Sequence, residues 1–165
     1  MNTIVYLIRH SVPFKEHVGD RKVNEPLLIT NEKTPLSIDG ERRAEKKALS
    51  EEFNNIDVVY SSNYVRSMAT AKYFASFNNL KVNINEDFNE RIHGVNSWDE
   101  LPDDFDAKQH EDENYKIGYG ESAKEVSNRM LKGLMEILEK YQGKRIVIVS
   151  HASAISYLLK RLPLH

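Results

Sequence analysis

Apolar positions in this chain fall into short continuous runs separated by stretches in which they recur every three or four residues. Thr3–Ile8 (TIVYLI) is β-branched and apolar, too short for a helix and too continuous for a half-exposed strand, so it predicts a buried strand. Asp57–Tyr60 (DVVY) predicts a second strand, Lys81–Ile84 a short third, and Arg145–Ser150 (RIVIVS) the most hydrophobic strand of the chain. Between them the period changes to that of a helix. Ser37 can cap a helix from Ile38 to about Phe53 with Ala44, Ala48, Leu49 and Phe53 facing inward. Val65 to Phe77 predicts another, with Ala69, Tyr73 and Phe77 on its inner stripe. Ser122 and Glu125 form a capping box for a helix whose Val126, Met130, Leu134, Ile137 and Tyr141 belong to the core, with Gly143 as its stop. A last helix runs from Ser153 and ends before Pro163, whereas Pro13, Gly19, Pro26 and Pro35 predict loop from Ser11 to Leu36. Strand–helix alternation of this kind predicts an α/β fold, a three-layer sandwich with a mostly parallel central sheet and helices on both faces. Ligands in such folds bind beyond the carboxyl ends of the strands.

Composition narrows the function classes. With 165 residues, 40% hydrophobic and 29% charged, residues 1–165 are expected to form a single domain. The absence of cysteine excludes a disulfide framework, a thiolate zinc site, an iron–sulfur cluster and a cysteine nucleophile. A net charge of −2 offers no overall basic field, so neither nucleic acid nor membrane is an expected partner. The longest apolar runs are strand-sized, and the N-terminus reaches Arg9-His10 without a basic flank, so a signal peptide is not expected and a cytoplasmic location is. Charge is uneven all the same. Glu86 to Glu113 holds eleven acidic residues against Arg91 and Lys108, a local balance of −9 that leaves +7 elsewhere. That stretch is expected to be a solvated loop or lid.

Residues able to do chemistry gather at the ends of the strong strands. Arg9-His10-Ser11 follows the first, Ser61-Ser62 follows the second with Arg66 at the start of the next helix, and Ser150-His151-Ala152 follows the last. These ends share one edge of a parallel sheet, beside helix N-termini that favour anions. Arginine suits phosphate because its planar fork donates two parallel hydrogen bonds. A lone histidine is an ordinary residue, but two histidines with two arginines at strand ends point to a phosphate site. No Gly-rich loop follows the first strand, which disfavours a nucleotide-binding Rossmann domain.

The same residues carry a family resemblance. Leu7-Ile8-Arg9-His10, Ser61-Ser62 through Arg66 to Thr70-Ala71, Gly120-Glu121-Ser122 and Val149-Ser150-His151 resemble the histidine phosphatase superfamily, also called phosphoglycerate mutase-like. Asn89-Glu90-Arg91-Ile92-His93-Gly94 is similar to that family's acid-bearing segment, and Pro35-Leu36-Ser37 to Gly40 to the start of its first helix. The resemblance implies that His10 is a nucleophile forming phosphohistidine. It implies that Arg9 and Arg66 hold the phosphoryl oxygens and that a protonated His151 stabilises charge in the transition state. Glu90 would be the general acid, protonating the leaving alcohol and then activating water, which requires a carboxyl protonated before attack by burial or by the substrate's charge. No metal or other cofactor is expected, because these side chains supply the electrostatics. The implied activity is that of a histidine acid-type phosphatase, a phosphomonoesterase acting on a small phosphorylated metabolite.

Several residues keep two readings. Glu86 or Asp87 could supply the acid in place of Glu90. His17, His93, His110 and His165 have no strand-end position and are expected at the surface, with His93 the one worth testing. Trp98 either walls a pocket or packs a loop; Ser61 either touches phosphate or ends a strand. Ser11 stands where the family usually has glycine, and Val12-Pro13-Phe14-Lys15 lacks the family's further phosphate ligands, for which Lys15 is a possible substitute. Ser11 to Leu36 is also longer than the corresponding mutase segment, as a recognition loop or an idle insertion. Between Ile92 and Glu121 there is no arginine to hold a substrate carboxylate, which favours a phosphatase over the alternative, a phosphoglycerate mutase. A non-catalytic phosphate-binding module of the same fold is a third reading. Members normally continue for some tens of residues beyond the last helix, so the chain is expected to lack the usual C-terminal strand and to expose a sheet edge.

Overall fold

A computed structural model describes residues 2–15 and 26–163. Four strands, β1 (Ile4–Arg9), β2 (Val58–Ser61), β3 (Val82–Ile84) and β4 (Arg145–Ser150), form one sheet in the order β1-β4-β2-β3, every pair parallel. The helices are α1 (Leu27–Lys33), α2 (Ile38–Ala48), α3 (Val65–Phe77), α4 (Phe105–Glu111), α5 (Ala123–Lys140) and α6 (Ala152–Leu159). β4 lies between β1 and β2, which is why the most hydrophobic strand is the central one and Ile146 to Val149 are all buried. Successive side chains of a strand point to opposite faces. Ile146 and Ile148 therefore meet Val126, Met130 and Leu158 of α5 and α6, while Val147 and Val149 meet Ala48, Ala71 and Phe74 of α2 and α3. These two cores make the expected three layers. Among the described residues β1 and β3 are the sheet's edges, so the first strand, predicted to be buried, is instead an edge strand with Ile4 40% exposed and Val5 to Ile8 half-buried. No helix among them is long and apolar enough to cross a membrane.

Most element boundaries follow the sequence pattern, and the exceptions have identifiable causes. Val65–Phe77 is helical as predicted, and Ser122 with Glu125 makes both bonds of the capping box. The helix capped by Ser37 ends at Ala48; Leu49 is its C-cap and 61% exposed, and Glu51–Phe53 form a separate 3₁₀ turn that returns Phe53 to the core. On α3 the inner face is Ser67, Thr70, Ala71, Phe74 and Ala75, and Phe77 is 44% exposed, so the stripe of Ala69, Tyr73 and Phe77 is not the core face. Reading apolar as inward misses a face that meets polar strand ends at its beginning. The segment predicted to be loop contains α1, with Pro26 as its N-cap, because proline is tolerated at a helix start. Residues 16–25 of that segment, with Gly19 and His17, lie outside the described residues, as does His165. The acidic stretch includes α4, anchored by buried Phe105 and Gln109 one turn apart, while most of its carboxylates face solvent.

Phe74 is fully buried and packs edge-on against Phe53 with ring centroids 4.9 Å apart. Phe74→Ala is expected to cost about 3–5 kcal/mol, whereas Phe77→Ala should stay within about 0.5 kcal/mol. Urea unfolding of the two variants checks the assignment of the helix face, and equal losses would contradict it.

Candidate active site

Because the strands are parallel and in register at their ends, Arg9 pairs with Ser150 and Ser61 with both Val149 and Ile84. The residues that follow β1, β2, β3 and β4 consequently emerge on one side of the sheet. There an open cavity of about 300 Å³ is lined at its inner end by Arg9, His10, Arg66 and Glu90. Four of the five site residues expected from sequence therefore share one cavity.

His10 leaves β1 with its backbone N–H bonded to Ser150 O, and its Nδ1 lies 2.7 Å from the carbonyl oxygen of Ser11. A carbonyl only accepts, so Nδ1 carries the proton and Nε2 carries a lone pair. Arg66 Nε donates to that Nε2 at 3.1 Å. Burial, with smaller contributions from Arg66 and Arg9 and against the bond to Ser11, lowers the His10 pKa to about 4. The imidazole is neutral at ordinary pH, as a nucleophilic nitrogen must be.

Arg66 stands in the first turn of α3, buried beneath the cavity. Besides His10 it binds the carbonyl of Asn31 in α1 through Nη1 and Nδ1 of His151 through Nη2 at 3.3 Å. His151 Nε2 is 2.8 Å from Ser62 Oγ. Since a guanidinium only donates, His151 Nδ1 is the acceptor and Nε2–H the donor. His151 is 0% exposed and lies behind Arg66 rather than on the cavity wall, its ring centroid 5.1 Å from that of His10. Its pKa is well below the ordinary value, first through burial and then through Arg66, His10, Arg129 and Arg9. In the free site a protonated His151 is thus unfavourable, being a second cation buried beside a guanidinium; the expectation from sequence concerns the transition state, with phosphate present.

Glu90 follows β3 and a 3₁₀ turn, Glu86–Phe88. Its Oε1 accepts from the backbone N–H of Arg91 at 2.9 Å and of Ala154, in the first turn of α6, at 3.2 Å. Of the three carboxylates considered, Glu90 is the one on the wall. Glu86 accepts from Asn63, Asp87 meets Lys132 on the outer surface, and neither lines the cavity.

The outer walls come from Phe14 and Lys15, from Thr30, Asn31 and Thr34 of α1, and from His93 and Trp98. Trp98 thus walls the pocket, and Ser61 does not reach it: its hydroxyl is buried against Ser67 and the Ser62 carbonyl. Lys15 and Arg9 make no hydrogen bond or ion pair through their side chains among the described residues. The hydroxyl of Ser11 donates to Gly40 O at 2.7 Å, so the departure from glycine is absorbed by α2 rather than by the cavity. His93, expected at the surface, is half-buried beside Trp98 and Phe105, and burial followed by Arg91 lowers its pKa to about 4. Its burial follows from a close crossing of two backbones at Gly94, where φ is +90° and a Cβ would lie 2.0 Å from Ile117 O. His110 is exposed. Sequence reasoning also missed Ser62, which orients His151, and Thr70, which accepts from the Ser11 N–H at 2.9 Å. Both sit within the strand-end motifs, which was the available signal. Among the described residues no group of three or more His, Asp or Glu is arranged to hold a metal ion.

A parallel three-layer α/β fold with histidine, arginine and carboxylate at its strand ends defines a narrow class. The sequence profile of the histidine phosphatase superfamily (branch 1) matches residues 5–163, and the chain belongs to this family. The chain is 27% identical over 128 residues to the uncharacterised phosphatase PhoE of Bacillus subtilis, covering 78% of this chain and 64% of that protein. It is 30% identical over 123 residues to phosphoserine phosphatase 1 of Hydrogenobacter thermophilus, covering 70% and 58% respectively. The matches thus span less than two thirds of either relative. Among solved structures, YhfR of Bacillus stearothermophilus superposes with a TM-score of 0.76 at 24% identity, over 98% of this chain and 82% of that one. A mycobacterial glucosyl-3-phosphoglycerate phosphatase superposes with a TM-score of 0.75 at 22% identity, over 95% and 79%.

The neutral histidines make stability depend on pH. The folded pKa of His10 and His93, about 4, lies below the ordinary 6.5, so between those values the unfolded chain binds more protons. Their contribution is complete above about pH 6.5 and is lost as pH falls toward 4. Denaturant unfolding from pH 7 to 4 should show falling stability, with a shallower fall in the His10→Gln/His93→Gln variant; an unchanged slope would contradict the neutral assignment.

Proposed function

We propose that the chain is a phosphomonoesterase that hydrolyses a small phosphorylated metabolite through phosphohistidine at His10, without a metal ion. The observation that carries this reading is the His10 tautomer. Its Nδ1–H is spent on Ser11 O, and its Nε2 lone pair lies beside Arg66 in the cavity. Arg9 and Arg66 take the phosphoryl oxygens, and as Arg66 Nε turns to one of them the Nε2 lone pair is freed for in-line attack on phosphorus. The bond from phosphorus to the leaving oxygen breaks, and Glu90 gives that oxygen its proton. Glu90, now a carboxylate, takes a proton from water. The water oxygen attacks phosphorus, the P–N bond breaks, and inorganic phosphate leaves with His10 restored. The hydrogen bond from Nδ1–H to Ser11 O stabilises the charge that the imidazole carries while phosphorylated. The arriving phosphate dianion offsets the guanidinium charges that add to burial in lowering the His151 pKa, which favours a protonated His151 in the substrate-bound state over the free one.

The cavity, about 300 Å³, is at the lower end of the range of ligand pockets, about 300–1,000 Å³. That size suits a small metabolite, as do the names of relatives that act on phosphoserine and on a glucosyl phosphoglycerate. The alternative, phosphoryl transfer between hydroxyl oxygens of phosphoglycerate, is disfavoured because the chain lacks, between Ile92 and Glu121, the arginines that the resemblance implies for a mutase.

Hydrolysis of p-nitrophenyl phosphate near pH 6 with excess chelator tests the reading. Turnover should resist the chelator and fall on the order of 10³-fold or more in His10→Ala. Activity in His10→Ala within tenfold of the parent would remove His10 as the nucleophile.

A further inference from the structure

The carboxylate on the cavity wall is braced by two side chains that take no part in the steps above. Four consecutive carbonyls leading to Glu90 accept hydrogen bonds from distant parts of the chain. Asp87 O and Asn89 O each accept from Arg129 Nη1 at 2.8 Å, Phe88 O from Ser150 Oγ at 2.7 Å, and Glu90 O from Arg129 Nη2 at 3.1 Å. The remaining donors of Arg129 go to Glu121, Nε to Oε1 at 2.8 Å and Nη2 to Oε2 at 2.9 Å. A guanidinium has five N–H donors, and all of those on Arg129 are used. Glu121 Oε2 also accepts from the backbone N–H of Ile92 at 3.0 Å, so the pair grips the chain on both sides of Glu90. The two side chains are only 19% and 20% exposed. α5 approaches closely enough because Gly133, one turn beyond Arg129, has no side chain; a Cβ there would lie 2.9 Å from Asp87 Cβ.

We propose that Arg129, oriented by Glu121, is a positioning residue for Glu90, setting where its carboxyl stands relative to His10 and so governing protonation of the leaving oxygen. The inference rests on Glu90 being the general acid. An ion pair that merely tied α5 to the fold would need only the two-pronged contact with Glu121. Here three of the five donors converge on one four-residue segment, the one that ends in the catalytic carboxylate. The carboxyl itself is held on one oxygen by two backbone N–H groups, so its placement follows the backbone that Arg129 holds.

Two probes of similar size separate positioning from general support of the fold. p-Nitrophenolate leaves phosphorus readily without a proton, whereas benzyl alcohol needs one. Since kcat/KM reports events through cleavage of the P–O bond, loss of acid catalysis should appear chiefly with benzyl phosphate. Glu90→Gln should lower kcat/KM for benzyl phosphate by about 10²–10⁴-fold, and for p-nitrophenyl phosphate by far less. Arg129→Lys should repeat that selectivity with a loss of about 10²-fold on benzyl phosphate, and Glu121→Gln should show a smaller loss in the same direction. Should Arg129→Lys lose both activities through misfolding, Glu121→Gln decides, with p-nitrophenyl phosphate turnover reporting that it is folded. Equal losses on the two probes in the Arg129 and Glu121 variants, with Glu90→Gln selective, would make the pair a brace of the fold and overturn the inference. Equal losses in Glu90→Gln itself would overturn the general-acid reading beneath it.

Discussion

A guanidinium held between two imidazoles constrains the rest of the site. Arg66 is buried and donates to His10 through Nε and to His151 through Nη2. Arginine keeps its charge in proteins, so protonating either ring would set a second cation against the first where water cannot screen them. Burial first, and this charge after it, holds both histidines neutral in the free site, and Ser11 O fixes the tautomer of His10 while Arg66 Nη2 fixes that of His151. The nucleophilic lone pair proposed for His10 is a consequence of that packing. The parallel sheet supplies it, since β1, β4 and the turn from β2 into α3 deliver the three side chains to one edge from separate parts of the chain.

The carboxylate arm of the site is built on a different principle. No regular element carries Glu90, and the segment from 87 to 94 is held by side chains and by backbone approach. Arg129 and Ser150 take its carbonyls, Glu121 takes the Ile92 N–H, and Gly94 lets it lie directly against the segment from 117 to 120. The buried Arg91 adds a further tie, donating to Tyr157 of α6 and to Asp106 of α4. An acid-rich segment is thus joined to the core by arginines, which explains how a stretch with a local charge of −9 packs against a domain carrying +7.

The inner and outer halves of the cavity differ in how they are made. The phosphate end is assembled from strand ends and a helix start, whereas Phe14, Lys15, α1 and Trp98 come from long connections. Such connections change more readily than the elements they join. The Asn31 carbonyl of α1 reaches Arg66 all the same, so the outer wall touches the phosphate end.

By itself the sequence determined the elements and the chemistry at their ends. The β-branched runs read as strands, Ser122 and Glu125 as the cap of one helix, and Arg9, His10, Arg66 and His151 stand at or soon after the ends of strands whose alternation with helices makes them parallel. Polar residues that face inward were the harder part. Ser67 and Thr70 occupy the core face of α3 because they answer the carbonyl and amide groups of neighbouring segments, a demand that periodicity in one helix does not record. Pro26 reads as a breaker and begins a helix, and Arg129 reads as one more charge on the polar side of α5. Only the tertiary structure decided that burial holds the His151 pKa low, that His93 lines the cavity and that Arg129 holds the chain around Glu90. Protonation depends on burial and on charges brought close from distant parts of the chain, and the five bonds of Arg129 join positions up to 42 residues apart, which no local pattern encodes.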